Sequence, residues 1–333
     1  CSARLFVTDE FAAPPVILRV DDSVIGTLGN FSASTGKAKS KKTFNVCAIV
    51  AAAMTGGTVL NYSASLPPER RRILYVDTEQ SRFHCKRVLC RILRLAGLPT
   101  DVHPPLLEFL CLRGYATKER LRKIEEAIYD LDDLGLVVID GIRDLAHDIN
   151  SPGEATDLIT KLMQWTDERR IHIHTVLHLN KGDDNTRGYL GTELNNKAET
   201  VLQITKDDFD RDISSVAAMH IRDRDFEPFA FRINADALPE QVEDYQLRQT
   251  TAAKSFDYAE VCEAKHREAL ELLFSKADRV SYSSLIGRLQ SSYAAIGHSF
   301  GINKAKQLKV FLENKRMIVK EDKFYRYNPD FHY

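Results

Sequence analysis

The sequence predicts an α/β protein built on a mostly parallel sheet, with a small α+β domain at its C-terminal end. Two observations support this fold class. Before about residue 238, short continuous apolar runs alternate with helical patterns, and after it three helical patterns precede a hairpin pattern. Apolar runs separated by helices are typical of parallel strands that are covered on both faces.

Five apolar runs are the predicted strands, at 73–77, 108–112, 136–140, 171–177 and 200–204. Helices are predicted around them at 43–54, 81–96, 117–131 and 154–169, and a strand-like segment at 28–35 precedes the first helix. Two further runs, 216–221 and 229–233, are separated by Asp, Arg and Pro residues and predict a hairpin.

The composition is that of an ordinary globular protein. Of 333 residues, 44% are hydrophobic and 28% are charged, which excludes disordered and fibrous classes. The longest apolar run, 46–54, is far shorter than the roughly 18 residues that span a bilayer, and the first residues lack a signal-peptide pattern. The six cysteines include no CxxC pair, so we expect reduced thiols and a cytoplasmic location.

The charge is unevenly distributed along the chain. The net charge of −1 argues against a strongly basic packaging protein, but residues 254–333 hold 14 Lys and Arg against 10 Asp and Glu, which leaves −5 for the rest. A polar, acidic segment without apolar periodicity precedes this basic tail. We therefore predict domains at 1–237 and 257–333, joined by a linker at 238–256.

A basic loop between a predicted strand and a predicted helix is the first chemical signal. Gly36-Lys37-Ala38-Lys39-Ser40-Lys41-Lys42-Thr43 fits the phosphate-binding pattern GxxxxGK[ST] at Gly36, Lys42 and Thr43. In that pattern backbone N–H groups cradle phosphates, the lysine reaches the β- and γ-phosphates, and the hydroxyl binds Mg²⁺. The pattern can also be aligned with Gly36-Lys37 as its last Gly-Lys pair, but Ala38 then stands where the Mg²⁺ ligand belongs and cannot bind the metal. The alternative to a phosphate site is a solvated, lysine-rich loop.

Three further signals stand at the ends of predicted strands. Asp140 ends a buried strand, where a P-loop protein places its Mg²⁺-positioning carboxylate, and Glu79 follows another strand, where it can accept a proton from water. His178 and Asn180 end a third strand and suit the sensing of a γ-phosphate. The alternative for Asp140 and Glu79 is a role in a turn or a helix cap, and the alternative for His178 is a purely structural role. The three residues Thr175–Leu177 separate His178 from His172 and His174, so these histidines do not have the spacing of zinc ligands.

Taken in chain order, these residues resemble the RecA-like ATPases of the plasmid RepA-type hexameric helicase branch, over roughly residues 15–235. The resemblance rests on Gly36…Lys42-Thr43, Glu79, Asp140, His178-Leu-Asn180-Lys181-Gly and Arg187-Gly-Tyr-Leu-Gly191. It implies a RecA-like P-loop core encoded on a plasmid or mobile element. It also implies ATP hydrolysis with Mg²⁺ and action on DNA by a homo-oligomer, as a hexameric ring.

The resemblance also implies roles for individual residues. Lys42 holds the phosphates, Thr43 and Asp140 hold Mg²⁺, and Glu79 orients the attacking water. His178 couples the γ-phosphate to the neighbouring loop. From its polar, glycine-punctuated composition we predict that this loop contacts DNA through Lys181 and Arg187, and a solvated loop is the alternative. Arg222-Asp-Arg224 matches the family's basic fingers, which reach ATP on the adjacent subunit. The alternative is that these arginines lie on the surface of a hairpin and pair with Asp223 and Asp225.

One position departs from the family pattern. Lys41 stands where the second glycine of the P-loop belongs. A side chain there blocks close backbone approach or demands an unfavourable φ, although it also adds a charge near the phosphates. We expect this lysine to affect ATP hydrolysis more than nucleotide binding.

The basic tail predicts helices at 258–277, 281–289 and 304–314, followed by a hairpin of 317–320 and 324–327. Three helices and a β-ribbon resemble a winged helix, in which the third helix enters a DNA groove. Residues 301–326 hold eight basic residues against three acids. The predicted DNA contacts are Lys304, Lys306, Lys309, Lys320 and Lys323, and a protein-binding surface is the alternative.

Three functions remain open at this point. The first is an ATP-dependent, helicase-like DNA motor. The second is a nucleotide-responsive DNA-binding initiator or regulator with little or no hydrolysis, which the lysine at position 41 favours. The third is a recombinase-like protein that forms filaments.

Overall fold

The computed structural model describes residues 4–179, 188–207, 210–243, 245, 258 and 261–331. The chain divides into two compact units, Cys1–Leu247 and Arg248–Tyr333. Within the described ranges no helix is long and apolar enough to cross a membrane.

The first unit contains thirteen described strands. They are β1 (Val16–Val20), β2 (Ser23–Thr27), β3 (Phe31–Gly36), β4 (Thr58–Val59), β5 (Tyr62–Ala64), β6 (Arg72–Asp77), β7 (Leu107–Cys111), β8 (Leu134–Asp140), β9 (His172–His178), β10 (Thr200–Lys206), β11 (Ile213–Ile221), β12 (Phe229–Ile233) and β13 (Pro239–Val242). Nine form one sheet in the order β13-β12-β11-β10-β3-β9-β8-β6-β7. The six strands from β10 to β7 are parallel. The predicted α/β class with a mostly parallel sheet is confirmed.

Helices cover both faces of this sheet. They are α1 (Lys42–Thr55), α2 (Arg82–Leu95), α3 (Thr117–Asp130), α4 (Pro152–Arg169) and α5 (Gly188–Lys197). Strand β8 shows why its sequence is continuously apolar: Leu136 and Val138 pack into the core that contains α1 and α2, whereas Val137 and Ile139 pack into the core that contains α3, α4 and α5.

Two regions of the first unit differ from the sequence-based expectation. Strands β1, β2, β4 and β5 form a separate antiparallel sheet that the apolar pattern did not predict. Strand β13 begins at Pro239, inside the predicted linker 238–256, and pairs with β12 through Ile233 and Pro239. The linker therefore cannot begin at 238. Proline is tolerated at the first position of an edge strand, where its missing N–H is not needed.

A buried polar ladder joins β3 to β9. Ser32 Oγ lies 2.7 Å from His172 Nε2 and 2.7 Å from His174 Nδ1, and Ser34 Oγ lies 2.8 Å from His174 Nε2. His172 Nδ1 lies 2.9 Å from the Thr27 carbonyl, to which it must donate. With both rings neutral, every proton then has one acceptor: Ser34 donates to His174, His174 to Ser32, and Ser32 to His172. These histidines are structural, and no cluster of His, Cys, Asp and Glu in the described ranges could hold a metal.

The second unit is a small α+β arrangement. Its elements are α6 (Glu263–Phe274), β14 (Val280–Ser281), α7 (Tyr282–Ala295), α8 (Ile302–Asn314), β15 (Ile318–Glu321) and β16 (Phe324–Tyr327). The strands form an antiparallel sheet in the order β14-β16-β15. The core is apolar and includes Leu270, Leu289, Leu308 and Tyr325. The unit contains the three helices and the hairpin that the sequence predicts, with α6 shorter than the predicted 258–277.

Candidate functional site

A cavity of about 380 Å³ lies at the carboxyl ends of the parallel strands, beside the start of α1. Ligand clefts of α/β sheets form at this edge because the loops after parallel strands diverge there. The cavity brings together residues from the loop after β3 and from the ends of β6, β8 and β9. Those singled out by the sequence are Lys39, Ser40, Lys41, Lys42, Thr43, Glu79, Asp140 and His178.

Strand β3 ends at Gly36, and this position requires glycine. A Cβ on Gly36 would lie 2.3 Å from the carbonyl oxygen of Ile204 and 2.5 Å from Ser40 Oγ, so no larger residue fits. Lys37, Ala38 and Lys39 form the exposed crest of the loop, whereas Ser40 is buried. Ser40 Oγ has no hydrogen-bond partner, which leaves an unsatisfied polar atom in the wall of the cradle.

Lys41 adopts the conformation that a glycine normally supplies. Its φ is 66° and its ψ is 29°, in the left-handed region, and Lys39 has a φ of 67°. The Lys41 ammonium donates to the backbone carbonyls of Arg211, at 3.3 Å, and Asp212, at 2.5 Å. The loop therefore keeps a glycine-like backbone path, and the side chain is anchored to the segment between β10 and β11.

Lys42, the first residue of α1, is almost completely buried. Its ammonium donates to the carbonyls of Gly36, at 2.8 Å, and Lys37, at 2.9 Å, so it spans the loop that it closes. Burial lowers the pKa of Lys42 to about 8, and the carboxylates of Asp140 and Glu79 partly oppose this shift. The first N–H groups of α1 lack intrahelical acceptors, as in every helix, and they add positive potential at the same place.

Thr43 and Asp140 meet across the cavity. Thr43 Oγ1 donates to Asp140 Oδ2 at 2.9 Å, and the hydroxyl of Tyr75 donates to the same oxygen at 2.9 Å. Burial, followed by the charge of Asp77, raises the pKa of Asp140 to about 6, while the two hydrogen bonds lower it. At neutral pH Asp140 is therefore a buried carboxylate with a hydroxyl beside it, an oxygen donor set of the kind that Mg²⁺ prefers.

Glu79 is held at the mouth of the cavity by Asp77. Asp77 Oδ1 accepts the backbone N–H groups of Glu79, at 3.0 Å, and Gln80, at 2.7 Å. Glu79 Oε1 lies 3.5 Å from His178 Nε2, and this contact is the main cause that lowers the pKa of Glu79. His178 Nδ1 is buried and has no hydrogen-bond partner. Glu79 is thus an ionised carboxylate whose neighbour His178 keeps one ring nitrogen unsatisfied.

The sequence did not single out three residues that shape the site. Tyr75 supports Asp140, Gln80 donates from its side chain to Asp77 Oδ2 at 2.8 Å, and Gly141 sits at a φ of 103°. A Cβ on Gly141 would lie 2.2 Å from Thr78 Oγ1 and 3.0 Å from Glu79 Cγ. The Asp140-Gly141 dipeptide is a turn signal that could have identified the glycine, whereas the hydroxyl of Tyr75 gives no local signal.

The predicted fingers lie outside this cavity. Residue 200 of β10 pairs with Ser32, at the amino end of β3, and the Arg222 N–H bonds to the adjacent carbonyl of Glu199. Arg222 also donates from its side chain to the Lys197 carbonyl at 3.1 Å, and Arg224 is exposed, 4.0 Å from Asp22. Both arginines therefore lie at the amino ends of the parallel strands, whereas the cavity of their own chain lies at the carboxyl ends.

The predicted DNA contacts of the tail fall into two groups. Lys306, Lys320 and Lys323 are exposed on α8 and the β15–β16 hairpin. Lys309 is not: its side chain is 13% exposed, pairs with Glu313, and lies over the Tyr325 ring. Lys304 is partly buried, with its ammonium 5.0 Å from the Tyr258 ring centre. On α8 these two lysines serve the unit's own packing. Lys181, Arg187 and Asn180 lie outside the described residues.

The residues present fit a nucleotide with its metal. The glycine cradle, the unsatisfied Ser40 hydroxyl and the buried ammonium of Lys42 suit a chain of phosphates. Thr43 and Asp140 supply the hydroxyl and carboxylate that Mg²⁺ requires beside a phosphate. Fold and site together define a P-loop ATPase, a class that uses ATP and Mg²⁺.

Comparison with known proteins identifies the family. Residues 5–184, more than half of the chain, match the family AAA_25, described as AAA domain, and the chain belongs to it. Among solved structures, it is similar to the crystal structure of the RadB recombinase, at 15% identity and a TM-score of 0.47. That alignment covers 65% of this chain and 92% of the recombinase chain. No curated protein matches the sequence.

Proposed function

We propose that this protein is an ATP-dependent, helicase-like motor that acts on DNA and is encoded by a plasmid or mobile element. It hydrolyses ATP at the interfaces between subunits of a homo-oligomer, a hexameric ring. The observation that carries the proposal is the meeting of Lys42, Thr43, Asp140 and Glu79 in one cavity at the carboxyl edge of the sheet. Phosphoryl transfer needs a cation, a metal site and a water-positioning carboxylate in that arrangement.

Each residue has a definite task in this proposal. Lys42 leaves the carbonyls of Gly36 and Lys37 and places its ammonium on the phosphates. Thr43 and Asp140 hold Mg²⁺, which neutralises negative charge on the phosphate oxygens when bound. Glu79 remains ionised beside His178 and orients the attacking water.

The fingers and the tail complete the proposal. Arg222 and Arg224 face away from the cavity of their own chain, so they can stabilise the transferring phosphoryl group only on a neighbouring copy. The second unit acts as a winged-helix-like DNA-binding domain, with Lys306, Lys320 and Lys323 at the phosphate backbone. Together with a linker that begins after β13, this gives a motor domain followed by a DNA-binding domain.

The experiment that tests the motor combines two assays. ATP turnover is measured with and without single-stranded DNA, and displacement of a labelled strand from a forked duplex is followed in the same samples. The proposal expects turnover stimulated by DNA and ATP-dependent strand displacement. DNA-stimulated turnover without any displacement contradicts the helicase role.

One observation favours a second candidate, a nucleotide-responsive DNA-binding initiator or regulator. Lys41 replaces the flexible glycine of the P-loop and ties the loop to the carbonyls of Arg211 and Asp212. A loop fixed in this way can bind ATP and report its presence without turnover. This candidate predicts tight ATP binding that changes the affinity for DNA while phosphate release stays negligible.

A further inference from the structure

Helix α8 of the second unit has a packed side and an exposed side. Ala305, Leu308 and Leu312 are completely buried, and Lys304 and Lys309 pack over aromatic rings of the same unit. The exposed side chains are spaced so that they lie along one stripe of the helix. We call this set the α8 stripe, and its members are Ile302, Asn303, Lys306, Gln307, Val310 and Asn314.

The polar side chains of the α8 stripe have no partner within the described part of the chain. No hydrogen bond or ion pair among those residues involves the side chain of Asn303, Lys306 or Gln307. Ile302 and Val310, which precede and follow them, are 56% and 50% exposed. The stripe therefore presents amide donors and acceptors beside aliphatic surface, with one cation and no acid.

This composition differs from that of two other kinds of surface. A surface that binds only the phosphate backbone carries clustered Lys and Arg, whereas Lys306 is the one basic residue of the stripe. Protein interfaces are enriched in aromatic residues, Met and Arg, and the stripe contains none of these. Amides and apolar groups together are typical of helices that read base edges, because Asn and Gln bond N6 and N7 of adenine and apolar groups contact the thymine methyl.

The dimensions of the stripe suit the major groove of DNA. This groove is about 12 Å wide and admits an α-helix. Asn303 and Gln307 lie one turn apart, about 6 Å along the helix axis, which is the rise of roughly two base pairs. The same unit supplies exposed cations for the phosphates, at Arg316, Lys320 and Lys323. Phosphate contacts fix the position of a protein on the duplex, and base contacts then specify the sequence.

We propose that α8 reads adenine–thymine pairs in the major groove of duplex DNA through Asn303 and Gln307, so that the second unit binds a specific short sequence. Ile302 and Val310 lie against thymine methyl groups. The inference rests on the proposed function, since it names the DNA that the tail of the motor recognises. Duplex RNA is not the ligand, because its major groove is too deep and narrow for side chains to read. A motor with this tail starts at a defined sequence.

Selection of duplexes by the full-length protein tests the inference. A pool of DNA duplexes with a randomised central segment is enriched by binding to the wild type. Affinity for the selected duplex and for its scrambled version is then measured by fluorescence anisotropy at several salt concentrations. Asn303→Ala and Gln307→Ala remove the proposed readers, and Lys320→Ala removes an exposed cation. Gln164→Ala, which removes an exposed amide on α4, is the matched control.

The expected motif contains two A·T pairs within about four base pairs, the length that the stripe covers. Asn303→Ala and Gln307→Ala should each weaken binding of the selected duplex by roughly tenfold and leave the scrambled duplex and the salt dependence unchanged. Lys320→Ala should weaken both duplexes alike and reduce the salt dependence. Gln307→Glu should shift the selected base at one position from adenine to cytosine, whose amino group donates to a carboxylate, and misfolding cannot produce that change.

Three results overturn the inference. The wild type enriches no motif, the amide variants lose affinity for both duplexes alike, or they bind the selected duplex as the wild type does. In the last case the α8 stripe serves another partner, such as a protein.

Strand displacement and DNA-stimulated ATP turnover, measured in the same samples, separate the inference from the proposed function. Displacement without an enriched motif leaves the motor standing and the inference wrong. A motif that depends on the two amides, without displacement or turnover, leaves the inference standing and the motor wrong.

Discussion

The ammonium of Lys41 lies 2.5 Å from the backbone carbonyl oxygen of Asp212, while its backbone takes the left-handed path of the glycine it replaces. The side chain is held by the carbonyls of Arg211 and Asp212 and does not close the phosphate-binding loop. The energetic cost is conformational, since a residue with a Cβ is disfavoured in this region by about 1–2 kcal/mol.

Replacement of Lys41 by glycine tests this arrangement. Glycine adopts the same φ without strain, so we expect Lys41→Gly to keep ATP affinity and to equal or exceed wild-type turnover. Lys41→Val, which is β-branched, should weaken ATP binding by roughly tenfold, the equivalent of about 1.4 kcal/mol. Titration of a fluorescent ATP analogue and phosphate release measure the two effects. Loss of binding in the glycine variant contradicts a purely conformational role.

Gly141 should be needed for turnover more than for binding. An alanine there puts its Cβ 2.2 Å from Thr78 Oγ1 and 3.0 Å from Glu79 Cγ, at a φ of 103°. The collision is with Thr78 first and then with Glu79, and no atom of Lys42 or Thr43 is among the three nearest to the added Cβ. We therefore expect Glu79 to shift while the phosphate-binding residues keep their positions. We expect Gly141→Ala to lower kcat by roughly tenfold or more with little change in nucleotide affinity. Gly114→Ala, which meets no atom within 4 Å, is the control.

The loss of ATP turnover at low pH should follow the protonation of Asp140. Burial raises the pKa of Asp140 to about 6, so below that pH the carboxyl is protonated and its Mg²⁺ affinity falls. The hydrogen bond from Tyr75 lowers this pKa, so Tyr75→Phe should move the acid limb to higher pH. Turnover against pH at subsaturating Mg²⁺ measures the shift. An acid limb that stays in place shows that another group limits activity.

The ladder of His172 and His174 predicts how stability depends on pH. Burial lowers the pKa of His172 from 6.5 to about 4 and that of His174 from 6.5 to about 3. Between about pH 4 and 6.5 the unfolded chain therefore binds more protons than the folded one, so stability falls as pH falls. Each ring contributes about 1.4 kcal/mol per pH unit in that window.

Urea unfolding between pH 7.5 and 5 measures this slope. The comparison is His174→Gln, which cannot be protonated and should show a shallower slope despite lower stability at pH 7.5. Equal slopes for the two proteins would show that other groups dominate the pH dependence.

The sequence predicted what depends on local pattern. The continuous apolar run that ends in Asp140 was enough to place a buried strand and a carboxylate at its carboxyl end, because period and strand ends are local features. The strand at Pro239–Val242 was missed because its only support is pairing with β12, a non-local contact. The packing of Lys309 between Glu313 and Tyr325 was missed for the same reason: an exposed charge and a packed one look alike in sequence.

The central claim is that the cavity between Lys42 and Asp140 hydrolyses ATP, and steady-state phosphate release with Mg²⁺ tests it most directly. The account predicts measurable turnover for the wild type and a loss of at least about a hundredfold in Lys42→Ala, since the buried ammonium no longer balances the phosphate charge. A wild type without turnover, or a Lys42→Ala variant that matches it, contradicts the account.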